Sequence, residues 1–434
     1  MTARELTFVG FGFGPIQAGL FLLEAQRSGR FRRLVVAEVL PEVVRAVREA
    51  GGVFRVNVAH ADRVETCSVG PIEIEDPGTA SGREMIIRAT EEASEIATAV
   101  PSVRFYRTES PGSIHRLLAA GLSRRFAAGG ATPAAPVVIY AAENHNRAAE
   151  ILEEAVFEEI PPASRDRVRR GAQFLNTVIG KMSGAVALPD EARLPPFVPG
   201  AARAFLVESF NRIYITRIRF DPASGFRRGI EVFEEKPDLL PFEEAKLYGH
   251  NAAHALAAYA AAELGVARMD ELRGAPDAVA FVRAAFLEES GAALVAKWKG
   301  RDALFTPEGF RAYADDLIDR MLNPHLGDLV ERVARDPARK LGWEDRLAGT
   351  MRLALACGIQ PRRYALGTAL ALAAHDPACV ASDAAAEAAL RALWEPSKPD
   401  PAELEAVLAA VRRGLAELRA WRRTGASPFF GERS

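Results

Sequence analysis

The segment FEEAKLYGHNAAHALAAY carries Lys246, Asn251 and His254 at relative positions 0, +5 and +8. On a helix turning ~100° per residue the three fall within an arc of ~140°, with Asn251 and His254 as i,i+3 neighbours. Three polar groups therefore leave an otherwise Ala/Leu-rich stretch on one side. A lysine withdrawn from water favours its neutral form, which brings its pKa toward the working pH and lets it take a hydroxyl proton. Oxidation of an alcohol needs such a base together with a hydride acceptor. The competing reading is a lysine that reaches solvent along its stem, beside two satisfied polar groups in a helix seam.

A second amide stands where the apolar run PVVIYAAEN ends in Glu143-Asn144. Ligands of open parallel sheets lie beyond the carboxyl ends of the strands, so Asn144 can reach a substrate there and, with Asn251, hold a developing alkoxide. Asn144 can equally end a strand or cap a helix. The hydride carrier is suggested by TFVGFGFGPIQAG, an apolar strand running through glycines into a helix. Gly12, Gly14 and Gly19 are the candidate cofactor residues, because positions without a Cβ let the backbone approach a pyrophosphate seated on a helix N-terminus. The spacing departs from the dinucleotide fingerprint. Gln17 takes the third glycine's place if Gly12 is first, and Pro15 takes it if Gly10 is first, so a plain tight turn stays open. The following strand, LVVAEV, ends in Glu38, where an acid accepts hydrogen bonds from the adenosine ribose and repels a 2'-phosphate. That favours NAD over NADP, with Arg45 as the opposing consideration. Val100, closing EIATAV before Pro101, is placed at the nicotinamide side.

Positioning these residues requires two kinds of architecture. Strand-like and helix-like stretches alternate from LTFVGF through IQAGLFLLEAQRSG, LVVAEV and PEVVRAVREAGG, the βαβ order of a parallel sheet. VFRVNVAHA, EIATAV and PVVIYAAEN supply further strands, and AFLVESFNRIYITRIRF and GIEVFE extend the same domain. A proline-rich stretch from Leu188 to Ala201 reads as a loop. From Pro241 onward Ala, Leu, Glu and Arg recur at helical spacing, with helix starts marked at Thr306-Pro307-Glu308 and at Asp400-Pro401-Ala402-Glu403, the latter a capping box. The expected fold is α/β: an N-terminal Rossmann-type parallel sheet domain over 1–235, and an all-α domain over 236–434. The tail ASPFFGERS is frayed or docked by its two phenylalanines.

At 434 residues the chain is long enough for two cores. Lys+Arg total 55 against Asp+Glu 57, so no global field draws it to nucleic acid or an anionic membrane, and a small-molecule partner is expected. The three cysteines are far apart and the seven histidines form no ligand set with them, so no metal is expected. No apolar run reaches the ~20 residues of a bilayer span. With no secretory pattern in MTARELTFVGFGFG, a cytoplasmic protein free of membrane is expected.

These residues resemble the polyol-specific long-chain dehydrogenase/reductase (mannitol dehydrogenase) family. The likeness is carried by the glycine-rich turn from Gly12 to Gly19, AENHNRAAEIL, FLNTVIGKM, VESF, KLYGHNAAHALAAY, EESGAALVAKW and NPHLGDLVERVARDPARKL. The resemblance implies NAD-linked, metal-free interconversion of a sugar alcohol or its phosphate, with mannitol 1-phosphate and fructose 6-phosphate the leading pair. Free mannitol or a hexuronate are the alternatives, and a dinucleotide-binding protein without turnover is a rival of another class. It also implies an active site between the two domains, Lys246 as general base, Asn251 and Asn144 on the reacting oxygen, His254 orienting the substrate, and Glu243 assisting proton exit. A monomer is expected. For a substrate phosphate the candidate cations are Arg339 and Lys340, by bidentate and point-charge recognition respectively; a solvated helix end is the plainer reading of Lys340. Gly180-Lys181 departs from the family, whose members usually carry Asp-Arg there.

Overall fold

β1 (Leu6–Phe11) shows why a parallel sheet forms: all six of its residues are buried, so both faces of the strand need cover. Alternation delivers Phe8 to one apolar cluster and Val9 and Phe11 to another. The computed structural model describes residues 6–127, 134–188 and 194–429, and the chain divides into two compact units, up to Leu240 and from Pro241. Residues 189–193 of the proline-rich loop, and the tail beyond Phe429, lie outside the described residues.

In the first unit β1 lies beside β2 (Phe31–Ala37) on one flank and β6 (Glu95–Thr98) on the other. β5 (Glu73–Glu75) completes the first flank. β7 (Val137–Ala141) and β8 (Ala172–Ile179) continue the second, all in parallel. β11 (Ile213–Thr216) then pairs antiparallel to β8, and β12 (Phe233–Lys236) pairs parallel to β11. Strand order therefore reverses at β1, which sets the crevice at the carboxyl ends of β1, β2 and β6.

Two expected strands leave this sheet. VFRVNVAHA forms β3 (Phe54–Ala59) and AFLVES forms β10 (Arg203–Glu208), which pair with each other in parallel. With β4 (Val64–Val69) and β9 (Ser183–Ala187) at the edges they make a separate four-stranded sheet. The continuous helical segment Gln17–Leu22 and Leu23–Ser28 lies against it: a Cβ added at Gly19 would meet Val207 Cγ1 at 2.4 Å. Gly19 thus works in close helix–sheet packing, the role that a fingerprint glycine behind the turn also has.

In the second unit no strand occurs among the described residues, as the helical spacing from Pro241 implies. Thr306 Oγ1 accepts from the Gly309 amide, and Asp400 from the amides of Ala402 and Glu403, at the two helix starts marked in the sequence. The Glu403 carboxylate receives the Arg352 guanidinium. Small residues set the spacing of the long helices: a Cβ on Gly414 of Pro401–Thr424 would lie 2.3 Å from the Ala365 carbonyl of Arg362–His375. Phe429 is buried and stacks edge-on against Trp421. Among the described residues no helix is long and apolar enough to cross a membrane.

Gly19→Ala is expected to destabilise the first unit by about 1–3 kcal/mol through overpacking. Val207→Ala in the same chain makes room for the methyl, so chemical denaturation of the two single variants and the double variant should give a favourable coupling. Strict additivity would remove the contact as the reason for glycine.

Candidate active site

The first unit assembles its candidate residues at the end of β1. Gly12 has φ of 87°, which favours glycine, and a Cβ there would meet Ala99 O at 2.9 Å and Val100 Cγ1 at 3.2 Å. Its amide donates to Ala37 O, and the Phe13 amide donates to Glu38 Oε2 at 2.8 Å. The other Glu38 oxygen accepts from Leu40 N at 2.9 Å. Glu38 therefore ties the glycine turn to the end of β2 while keeping lone pairs for a further donor. Nothing within 4 Å meets a Cβ built on Gly14, so the first turn of the helix is open on that side. Helical N–H groups behind an open glycine fit a dinucleotide pyrophosphate, and the buried Glu38 fits its ribose.

The third part of this crevice is held by a residue whose role the sequence did not disclose. Glu143 is buried and accepts from Val100 N at 2.9 Å, Thr98 Oγ1 at 2.9 Å and the Tyr106 hydroxyl. Burial pushes its carboxyl above the ordinary range, against the pull of those three donors. It fastens the ends of β6 and β7 together, fixing Val100 and the exposed Asn144 that follows it. Lys181, the family departure, is buried with Nζ donating to Phe210 O at 2.9 Å and Asn211 Oδ1 at 2.7 Å.

In the second unit, residues Ala245–Asn251 are wound as a π-helical turn that leads into the α-helix Ala252–Glu263. Hydrogen bonds to i+5 stack positions five apart, so Lys246 and Asn251 share a face more closely than α-helical geometry gives. Burial and the neighbouring Arg346 guanidinium lower the Lys246 ammonium to about 8, with the Glu243 carboxylate pulling the other way. Asn251 is half-buried, and its amide makes no hydrogen bond among the described residues. His254 Nε2 is buried without a hydrogen bond, 4.0 Å from Asp328 Oδ2. Burial lowers its pKa to about 4, Asp328 raising it and Arg332, Arg346 and Lys340 adding to the drop, so the imidazole is neutral near pH 7. His250, whose ring centroid lies 6.3 Å from that of His254, is buried and held well below its ordinary range by desolvation and by Arg320.

The two cations chosen for a phosphate do not converge. Arg339 is exposed on the four-residue helix Pro337–Lys340 and binds Asp336 at 2.9 Å and Asp345 at 3.4 Å. Lys340 is buried, donates to Arg335 O and faces the Tyr259 ring at 5.9 Å. Consecutive helical positions diverge by ~100°, so adjacent cations rarely serve one anion. Arg346, which the sequence reading passed over, lowers the pKa of Lys246, His250, His254 and Lys340 alike. Its only signal in the sequence is a charge in the short run GWEDRLAG. Among the described residues no group of three or more His, Cys, Asp and Glu side chains is placed to hold a metal ion.

Comparison with known proteins bears on this arrangement. Residues 238–391 match the family model of the mannitol dehydrogenase C-terminal domain. A mannitol-1-phosphate 5-dehydrogenase of Bacillus licheniformis is 30% identical, covering 85% of this chain and 89% of the relative. One from an Arthrobacter species is also 30% identical, over 95% of this chain and 99% of the relative. Among solved structures, a D-sorbitol dehydrogenase superposes with a TM-score of 0.74 at 13% identity, covering 98% of this chain and 94% of that one. Pseudomonas fluorescens mannitol 2-dehydrogenase, solved with NAD and D-mannitol, gives 0.64 at 16% identity, covering 96% and 92%. These two likenesses concern the fold.

Glu143→Ala leaves the Val100 amide and the Thr98 and Tyr106 hydroxyls without their acceptor. A loss of about 1–3 kcal/mol in denaturant unfolding is expected, larger than for Tyr106→Phe, which removes one donor only. Equal losses would mean that Glu143 is not the fastening.

Proposed function

Because the chain belongs to the mannitol-1-phosphate 5-dehydrogenase family, we propose that it interconverts mannitol 1-phosphate and fructose 6-phosphate with NAD, using Lys246 as general base. The observation that carries this reading is the Lys246 ammonium, brought to about 8 by burial and Arg346 on a helix that also presents Asn251 and His254. In this reading residues 1–235 bind the dinucleotide and residues 236–434 supply the catalytic groups.

Gly12, Gly14 and Glu38 would hold a dinucleotide, with Val100 on its nicotinamide side, and that group would supply the hydride acceptor when bound. Neutral Lys246 Nζ accepts the hydroxyl proton of the alcohol as the C–H bond breaks, and as an ammonium returns it in the reverse direction. Asn251 and Asn144 donate hydrogen bonds to the reacting oxygen, where negative charge develops. Neutral His254 offers one donor and one acceptor to a neighbouring hydroxyl, which suits orientation of a polyol. Glu243, buried three residues before Lys246, is the group through which the proton leaves. Glu38 supports NAD over NADP because its carboxylate repels a 2'-phosphate.

NADH oxidation measured with fructose 6-phosphate and, separately, with fructose tests the reading. Turnover of the phosphate is expected, with kcat falling ~100-fold or more in Lys246→Ala. Activity on fructose alone removes the phosphate and keeps the base; NADH binding without turnover of any sugar removes the enzyme.

The pH dependence has a defined sign. Oxidation needs neutral Lys246, so its rate rises as pH passes through about 8, whereas reduction needs the ammonium and falls over the same range. Glu243→Gln removes a charge that raises this pKa and is expected to move both limbs to lower pH in the pH–rate profile.

Glu38→Ala is expected to reduce the preference for NADH over NADPH by ~10-fold or more in kcat/KM. An unchanged preference would assign Glu38 to holding the glycine turn alone.

A further inference from the structure

The cations of the second unit differ in what already occupies them. Arg339 is held by two aspartates and Lys340 by the Arg335 carbonyl. Arg332 is held by Asp328. Arg346 is different: its Nε donates to Asp345 Oδ1 at 2.7 Å, and among the described residues Nη1 and Nη2 have no hydrogen-bond partner. Its side chain is only 12% exposed. A guanidinium fork whose Nε edge is pinned by a carboxylate and whose outer edge is open is preorganised for two parallel hydrogen bonds to an anion.

The position of this fork is fixed by the backbone. Thr350 Oγ1 bonds both Arg346 O, at 2.6 Å, and Tyr248 O, at 3.3 Å. A Cβ on Gly349 would meet the Tyr248 ring at 2.5 Å. The turn bearing Arg346 is thus clamped to the π-helical turn bearing Lys246, with no side chain between them at Gly349. The charge of Arg346 is felt accordingly at Lys246, at both histidines and at Lys340. Asp328 and Asp336 pair with Arg332 and Arg339, and Asp345 takes only the Nε edge of Arg346, so the outer edge of Arg346 is the cationic face left open to an anion.

We propose that Arg346 receives the anionic end of the substrate, a phosphate or a carboxylate, and so sets the preference of this site for a charged sugar over a neutral one. The proposal rests on the reading of the chain as a sugar-alcohol dehydrogenase. It replaces Arg339 and Lys340 in that role.

The test compares kcat and KM for fructose 6-phosphate, a keto-hexuronate and fructose in the wild type, Arg346→Gln, Arg346→Lys and Arg339→Gln. In Arg346→Gln the ratio of kcat/KM for the charged substrate over fructose is expected to fall ~10- to 100-fold, chiefly through KM, as for loss of a hydrogen bond to a charged group. Arg346→Lys keeps the charge without the fork and should fall between. A wild type that takes the hexuronate and not the phosphate, with the same collapse in Arg346→Gln, upholds Arg346 and overturns the phosphate substrate. A ratio unchanged in Arg346→Gln, or one that collapses in Arg339→Gln instead, overturns the proposal. So does a wild type that prefers fructose, which leaves Lys246 as base intact.

Discussion

Desolvation lowers the pKa of an ammonium because water solvates the charged form far better than a protein interior does, and the second unit is arranged around that effect at Lys246. A lysine with a pKa near 8 needs a buried stem, and Lys246 sits on the turn Ala245–Asn251, just before the tightly packed, alanine-rich helix Ala252–Glu263. It needs a neighbouring positive charge and a restraining negative one, provided by Arg346 and Glu243. It also needs partners on its own face, which the wide turn at 245–251 delivers by bringing position 251 over position 246. The buried histidines follow from the same economy of charge: among so many cations an imidazole stays neutral and acts as a hydrogen-bonding group.

The first unit obeys a different constraint, the pinning of backbone at the ends of four neighbouring strands, β2, β1, β6 and β7. Two buried carboxylates share that work. Glu38 holds the glycine turn to β2, and Glu143 holds β6 to β7. Each accepts from a main-chain amide, so each converts a side-chain charge into loop geometry. Loops held in this way keep their backbone amides in a fixed orientation.

What was legible in the sequence follows from these distinctions. The βαβ order was readable because LTFVGF and PVVIYA are buried on both faces and so are apolar throughout. The helical unit was readable because caps such as Thr306 and Asp400 are local chemistry. The second sheet was not, since β3 and β10 read like any other strands and only their distant pairing sets them apart. Lys246, Asn251 and His254 lie on one helix and announce themselves by spacing. Arg346 is defined by a hydroxyl bridging two carbonyls and by a glycine against a tyrosine ring, features without periodicity. Arg339 and Lys340 looked like a pair because they are adjacent in the chain, although a helix turns adjacent side chains apart.

The parallel pairing of β3 with β10 also bears on how the chain is made. Helix 17–28 leaves the ribosome early, yet the strand that covers Gly19 belongs to β10, which is synthesised only after nearly the whole first unit has emerged. Until then the flank of this helix stays uncovered, and β3 has only its hairpin partner β4. Non-local pairings of this kind close late and slowly. The nascent first unit is therefore most open to chaperones and to mispairing during the interval before residue 208, and closure of the smaller sheet is the step that ends that exposure.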